Sequence, residues 1–276
     1  MSLKKQLMTG LFTVGLMAMA SGCQSADMQK VTAEVARPMA DSVTHVVPLS
    51  GHILYAPPGE SSNNVGSKTF ATRFGDNWYA MALAHPSESN PVGGSVWLAP
   101  TGSLRIEQRP PTMVQPGVYM PNSGVSLDAQ VGTQLTRFGE IVANTENGIV
   151  IRMDNPPSNY AEKMTWRDPG EGIDVATVHT MQSAEYGLRP YEAVINFVPD
   201  LEQQILFAIT DQRWQSLPHP AHGNSGSKLT SGNDMLGAVS GGSASVGADG
   251  TIQITNYATP MRNMLDSKIN AVFERR

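Results

Sequence analysis

The chain has 276 residues, 40% of them hydrophobic and 16% charged, with a formal net charge of -5. This balance supports a folded core and excludes a disordered charged tail. With no basic cluster, it also excludes a nucleic-acid surface built on phosphate neutralisation. The 26 Gly and 19 Pro, with many Thr, Val and Ser, favour short strands and frequent turns over helices.

In chain order, Lys4 and Lys5 precede an apolar run over residues 7–20 that ends in small residues, the pattern of an export signal. The string Ala20-Ser21-Gly22-Cys23 resembles a bacterial lipobox, in which the cysteine becomes the lipidated first mature residue. A plain secretory signal with an incidental cysteine is the alternative. Cys23 is the single cysteine, so lipidation there excludes a disulfide. By resemblance to Gram-negative lipoproteins, Gln24 in place of Asp implies an exported, outer-membrane lipoprotein facing the periplasm or the surface. The expected organisation is a signal over 1–22, a tether over 23–47 and one domain over 48–276.

Within the domain, strand-length apolar runs are expected at 68–74, 78–83, 95–98, 104–107, 148–153, 174–179, 193–197, 204–209, 236–240 and 251–256. Turn clusters such as Gly75-Asp76-Asn77 and Ala248-Asp249-Gly250 separate them. Residues 86–147, rich in Pro, Gly and Asn, are expected to carry long loops. Met261, Met264, Leu265, Ile269 and Phe273 recur at helical spacing after Thr259-Pro260, which places an amphipathic helix over 260–275. Ten strands without intervening helices indicate an all-β sandwich or barrel.

Three strings carry chemistry: Ala84-His85, Asp174-Val175-Ala176 and Gly223-Asn224-Ser225-Gly226-Ser227. A serine hydroxyl attacks a carbonyl only when a base takes its proton, and the base acts best with a carboxylate fixing its tautomer. The order His, Asp, Ser is that of the chymotrypsin-type template and opposes that of the α/β-hydrolases. The segment from Gly75 to His85 resembles the turn, strand and Ala-His ending of trypsin-like serine proteases. Gly172-Ile173-Asp174-Val175-Ala176 is similar to their aspartate strand, and Gly223-Asn224-Ser225-Gly226-Ser227 to the nucleophile loop of bacterial members. Leu236-Gly237-Ala238-Val239-Ser240-Gly241-Gly242 resembles the strand that binds substrate backbone.

The resemblance implies two six-stranded antiparallel β-barrels with a C-terminal helix. The first barrel is expected over about 48–182 and the second over about 183–259. It further implies a serine endopeptidase with His85 as base, Asp174 as orienting acid and Ser225 as nucleophile. The amides of Gly223 and Ser225 form the oxyanion hole, and His219, His222, Ser240 and Gly242 line the substrate cleft. Asp154 and Asp168 remain rivals to Asp174 as the acid. His219, six residues before the nucleophile, excludes a simple Lys/Arg preference. No metal ligand set with paired histidine spacing and no dinucleotide or phosphate loop is present, so neither metal nor cofactor is expected. The expected partners are a protein or peptide substrate and the membrane, through the N-terminal lipid. The competing reading is a protease-fold lipoprotein that binds without turnover.

Overall fold

The computed structural model describes residues 39–55, 65–83, 91–98, 104–115, 118–127, 135–170, 172–179, 191–197, 204–209, 225–246, 248–249 and 252–274. The first strands are β1 (Val47–Pro48) and β2 (His52–Leu54), which flank the kink at Gly51 and both pair with β3 (Val65–Phe74). Then come β4 (Asn77–Leu83), β5 (Ser95–Leu98), the hairpin of β6 (Leu104–Gln115) and β7 (Val118–Leu127), β8 (Arg137–Thr145) and β9 (Gly148–Met153). Pairing runs β2, β3, β4, β9, β8, β5 and back to β2, so six antiparallel strands close on themselves. Alternate residues face inward, and Ile53, Ala71, Ala80, Val96, Ile149 and Ile151 fill the lumen.

The second ring contains β11 (Gly172–His179), β12 (Tyr191–Phe197), β13 (Ile205–Ile209), β14 (Lys228–Ser231), β15 (Asp234–Val246) and β16 (Ile252–Pro260). It closes in the order β11, β12, β13, β16, β15, β14 and back to β11, the same order as the first barrel. Ala176, Val178, Ile195, Ile205, Leu229 and Leu236 form its core. Ahead of this ring, β10 (Thr165–Trp166) adds a short parallel pairing to β15. The expected fold class, two six-stranded antiparallel barrels and a C-terminal helix, is the fold observed.

The helix α1 (Met261–Phe273) begins directly after β16. Its apolar stripe, Met261, Met264 and Leu265, packs with Phe70, Met81 and Val150 of the first barrel and Met235 and Ala238 of the second. The two lumens are thus joined by a third apolar cluster. At full burial of these side chains, each contributes roughly 1.5–3 kcal/mol. Lys268 lies fully buried on the same helix. Its ammonium donates to Thr72 Oγ1 at 3.3 Å and to the Tyr79 carbonyl at 3.2 Å, and sits 3.6 Å from the Phe70 ring centroid. Burial pushes its pKa well below the ordinary lysine value.

Three expectations change. The boundary between barrels falls after Met153 and before Gly172, not near 182, because β11 pairs with β12 and β14 of the second ring. A strand-length apolar run carries no mark of which ring it joins, and only pairing decides it. The second barrel therefore spans Gly172 to Pro260. Residues 40–47 also belong to the domain rather than a tether. Ala40 and Val46 are buried in the shared cluster, Val46 exchanges backbone hydrogen bonds with Met164, and the Trp166 indole donates to the Val43 carbonyl. Finally, 86–147 carries β7 and β8 in addition to the expected strands at 95–98 (β5) and 104–107 (β6), where long loops were expected. β6 runs past the expected 104–107, and Pro110 and Pro111 sit where its register shifts, a position that needs no ladder donor.

Candidate active site

Ser225 and Gly226 form a turn immediately before β14. The Gly226 amide donates to the Val239 carbonyl at 2.7 Å, and the Val239 amide donates to the Ser227 carbonyl at 2.8 Å. These two bonds clip the turn onto β15. One residue further, the β15–β16 register shifts between Val239 and Gly241, which leaves Ser240 as the extra residue of a bulge. Bulges re-aim a side chain out of the regular pleat and are common beside active sites. Ser240 is half-buried, and Gly242 is exposed and pairs with Asn256. The nucleophile candidate and the two candidate substrate-binding positions on β15 are therefore organised by one strand.

The first barrel meets this turn through β3. Gly226 has φ 91°, and a methyl group built on it would lie 2.6 Å from Ser67 Cβ and 3.0 Å from the Ser67 carbonyl oxygen. Thr69 Oγ1 donates to the Gly226 carbonyl at 3.5 Å. Only glycine permits so close an approach of two backbones at this dihedral. Ser67 in turn pairs with Leu83, the last residue of β4. The end of β4 and the serine turn thus flank the same residue of β3. His85 follows Leu83 by two positions and lies outside the described residues, as do Gly223, His219, His222 and Cys23.

Asp174 is not brought to Ser225. His179 at the end of β11 pairs with Lys228, so Ser225, three residues before Lys228, adjoins the His179 end. Asp174 lies five residues back along the strand, roughly 17 Å away at strand rise. There Arg167 holds it: Nη2 donates to Asp174 Oδ2 at 2.7 Å, and Nε donates to Asp234 Oδ2 at 3.3 Å. The hydrogen bond to Asp174 is the main cause of the raised Arg167 pKa, against desolvation that lowers it. The Val175 amide donates to the remaining Asp174 oxygen at 2.9 Å. The rival acids are also occupied by arginine. Arg137 Nη1 donates to both Asp154 oxygens at 2.9 Å, and Arg262 Nε donates to Asp168 Oδ2 at 2.7 Å.

A carboxylate that sequence reasoning passed over stands nearer the end of β4 in register. Ala82 pairs with Ile149 and Thr145 with Gly148, so the β8–β9 turn, Glu146-Asn147, flanks that strand end. The Asn147-Gly148 dipeptide is a hairpin signal that marks this turn in the sequence. Asn147 Nδ2 donates to Ser267 Oγ on α1 at 2.8 Å, which ties the turn to the helix. Replacing Asp174 with asparagine is expected to lower stability by about 1 kcal/mol through the lost Arg167 pair. The same change leaves the reactivity of Ser225 within about twofold. A urea melt and the rate of covalent labelling check the two halves, and a hundredfold slower labelling would return Asp174 to the catalytic group.

Beside the Ser225 turn lie the half-buried His179 and Lys228. Burial, and then the charge of Lys228, lower the pKa of His179, whose Nε2 lies 2.9 Å from Thr230 Oγ1. Lys228 is itself lowered by burial and donates to Ser50 Oγ at 3.2 Å, a hydrogen bond that crosses from the second barrel to the first. The neutral form of His179 is favoured, which suits a hydrogen-bonded structural imidazole rather than a cationic one.

Two closed six-stranded antiparallel barrels, with a glycine-flanked serine turn seated against the first, define a double β-barrel protein compatible with the chymotrypsin-like fold. No protein-family model, no curated protein and no solved structure matches the chain. No helix among the described residues is long and apolar enough to cross a membrane.

Proposed function

We propose that the protein is a serine endopeptidase, carried to the bacterial envelope as a lipoprotein anchored through Cys23. In this reading Ser225 Oγ attacks a peptide carbonyl carbon while His85 takes the hydroxyl proton. The amides of Gly223 and Ser225 hold the oxyanion, each such donor supplying roughly 3 kcal/mol of transition-state stabilisation. The peptide C–N bond then breaks, the amine leaves with the proton held by His85, and water hydrolyses the acyl-serine with His85 acting again as base. Ser240 and Gly242 on β15, with His219 and His222, would hold the substrate chain.

The observation that carries this reading is the packing of Gly226 on Ser67 and the pairing of Ser67 with Leu83. Two residues of extended chain reach at most about 7 Å beyond Leu83, which supports the assignment of the base at position 85.

A second reading, a protease-fold lipoprotein that binds without turnover, is favoured by one specific observation: Asp174 is bound by Arg167 at the far end of β11. A fluorophosphonate probe separates the two. The peptidase is expected to be labelled stoichiometrically, with labelling abolished in Ser225→Ala and reduced at least a hundredfold in His85→Ala. Folded protein that takes no label is the binder.

A further inference from the structure

The open end of the first barrel is not empty of chemistry. A partly open cavity of about 470 Å³ lies there, bordered by the segment that follows β9. Leu98, Phe138, Met153 and Pro156 supply apolar walls, and Lys68 and Glu162 supply charge. Small-ligand sites have this size and this mixture of apolar wall with a few polar groups. Lys68 belongs to β3, next to Ser67, but pairs with the lumen residue Ala82 and turns the other way from the serine turn.

Its ammonium lies 5.4 Å from the Phe138 ring centroid and makes no ion pair or hydrogen bond among the described residues. Glu162 does not neutralise it, since that carboxylate accepts from Asn159 Nδ2 at 3.3 Å and attracts Lys228, which is bonded to Ser50 on the cavity wall. A half-buried cation that lines a partly apolar cavity, with no anion paired to it among the described residues, is a group that a ligand carboxylate would complement.

We propose that this cavity binds a carboxylate carried on a short apolar group, the carboxylate pairing with Lys68 and the apolar group lying against Leu98, Phe138 and Met153. The site is independent of the peptidase reading, because it sits on the opposite face of β3 from Ser225. Two sources share this chemistry, the free C-terminus of a peptide ending in an apolar residue and a short fatty acid.

Titration calorimetry of the full chain with N-acetyl-leucine and with hexanoate tests the site and separates the sources by which binds tighter. Saturable binding is expected at pH 7, with none for N-acetyl-leucine amide, which lacks the carboxylate. Burial lowers the Lys68 pKa to about 8. Affinity should therefore fall about tenfold from pH 7 to pH 9 as the cation is lost. Lys68→Met is expected to abolish binding while keeping the fold, since it removes a buried charge. Leu98→Trp, which fills the cavity from its wall and leaves the charge in place, should abolish binding as well. Absence of saturable binding by either acid at pH 7 overturns the proposal. So does equal binding of the amide, or unchanged affinity in either variant. None of these outcomes depends on whether Ser225 accepts a fluorophosphonate.

Discussion

Gly226→Ala is expected to unfold the serine turn and to abolish labelling of Ser225 without touching any reacting atom. Two costs coincide there. Gly226 has φ 91°, a region in which an L-residue pays roughly 1–2 kcal/mol. Its added methyl would also meet Ser67 Cβ at 2.6 Å and the Ser67 carbonyl oxygen at 3.0 Å. Ser67 cannot retreat freely, because it is paired on both sides, with His52 and with Leu83. Overpacking of this kind adds about 1–3 kcal/mol, so a total loss of about 3 kcal/mol is expected. The turn should then shift away from β3, which breaks the 2.7 Å bond from the Gly226 amide to Val239. Because the strain is shared with Ser67, Ser67→Gly in the same background should recover part of the stability while leaving the carbonyl clash, a coupling readable in a double-mutant cycle. Urea unfolding and probe labelling measure both effects. A Gly226→Ala protein as stable and reactive as the parent would show that the turn does not rest on the first barrel.

The protein is also expected to become more stable as pH rises from 7.5 to about 9.5. Three lysines lose water on folding, Lys268 fully and Lys68 and Lys228 in part. Each has a folded pKa below its ordinary value of 10.5, and burial is the first cause in every case. The sign follows from proton counting. Between the folded pKa and that of the unfolded chain, the unfolded state binds more protons, so unfolding becomes less favourable as pH rises. For Lys68 the window runs from about 8 to 10.5. Each pH unit crossed inside that window adds about 1.4 kcal/mol, so Lys68 contributes on the order of 2 kcal/mol by pH 9.5. Above about pH 11, past the lysine window, the gain should reverse, because the buried Tyr55 hydroxyl has its pKa raised by burial and only the unfolded chain can ionise it. Lys68→Met is expected to be more stable than the parent at pH 7 and to show a shallower rise. A urea midpoint that stays flat or falls between pH 7.5 and 9.5 would refute the account.

Much of the fold was legible because its signals are local. Strands β5 and β9 begin and end where the apolar runs at 95–98 and 148–153 do. The helix follows the Met261, Met264, Leu265 and Ile269 stripe, all four buried. The strands that escaped notice are short, as β1, β2, β10 and β14 are, or have an interrupted alternation. In β8 the register shifts between Ile141 and Ala143, in β7 Pro121, Asn122 and Gly124 break the apolar run, and β14 is four residues long.

The site divides along the same line. Sequence alone determined the residue types that can do the chemistry: a glycine-flanked serine at 225, a histidine at 85 after a strand, and aspartates that open or close apolar runs. Those are properties of a short window, and a short window suffices to read them. Tertiary structure decided which of them meet. It set Gly226 on Ser67 and placed Leu83 beside it, while the pairing of β11 with β14 carried Asp174 to the far end of the second barrel and gave it to Arg167. It also left the Lys68 cation facing a cavity that no periodicity announces. Barrel closure joins residues as far apart in the chain as Tyr79 and Arg152, and hydrogen-bond register, which leaves no trace in local composition, fixes which end of each strand lies beside the serine.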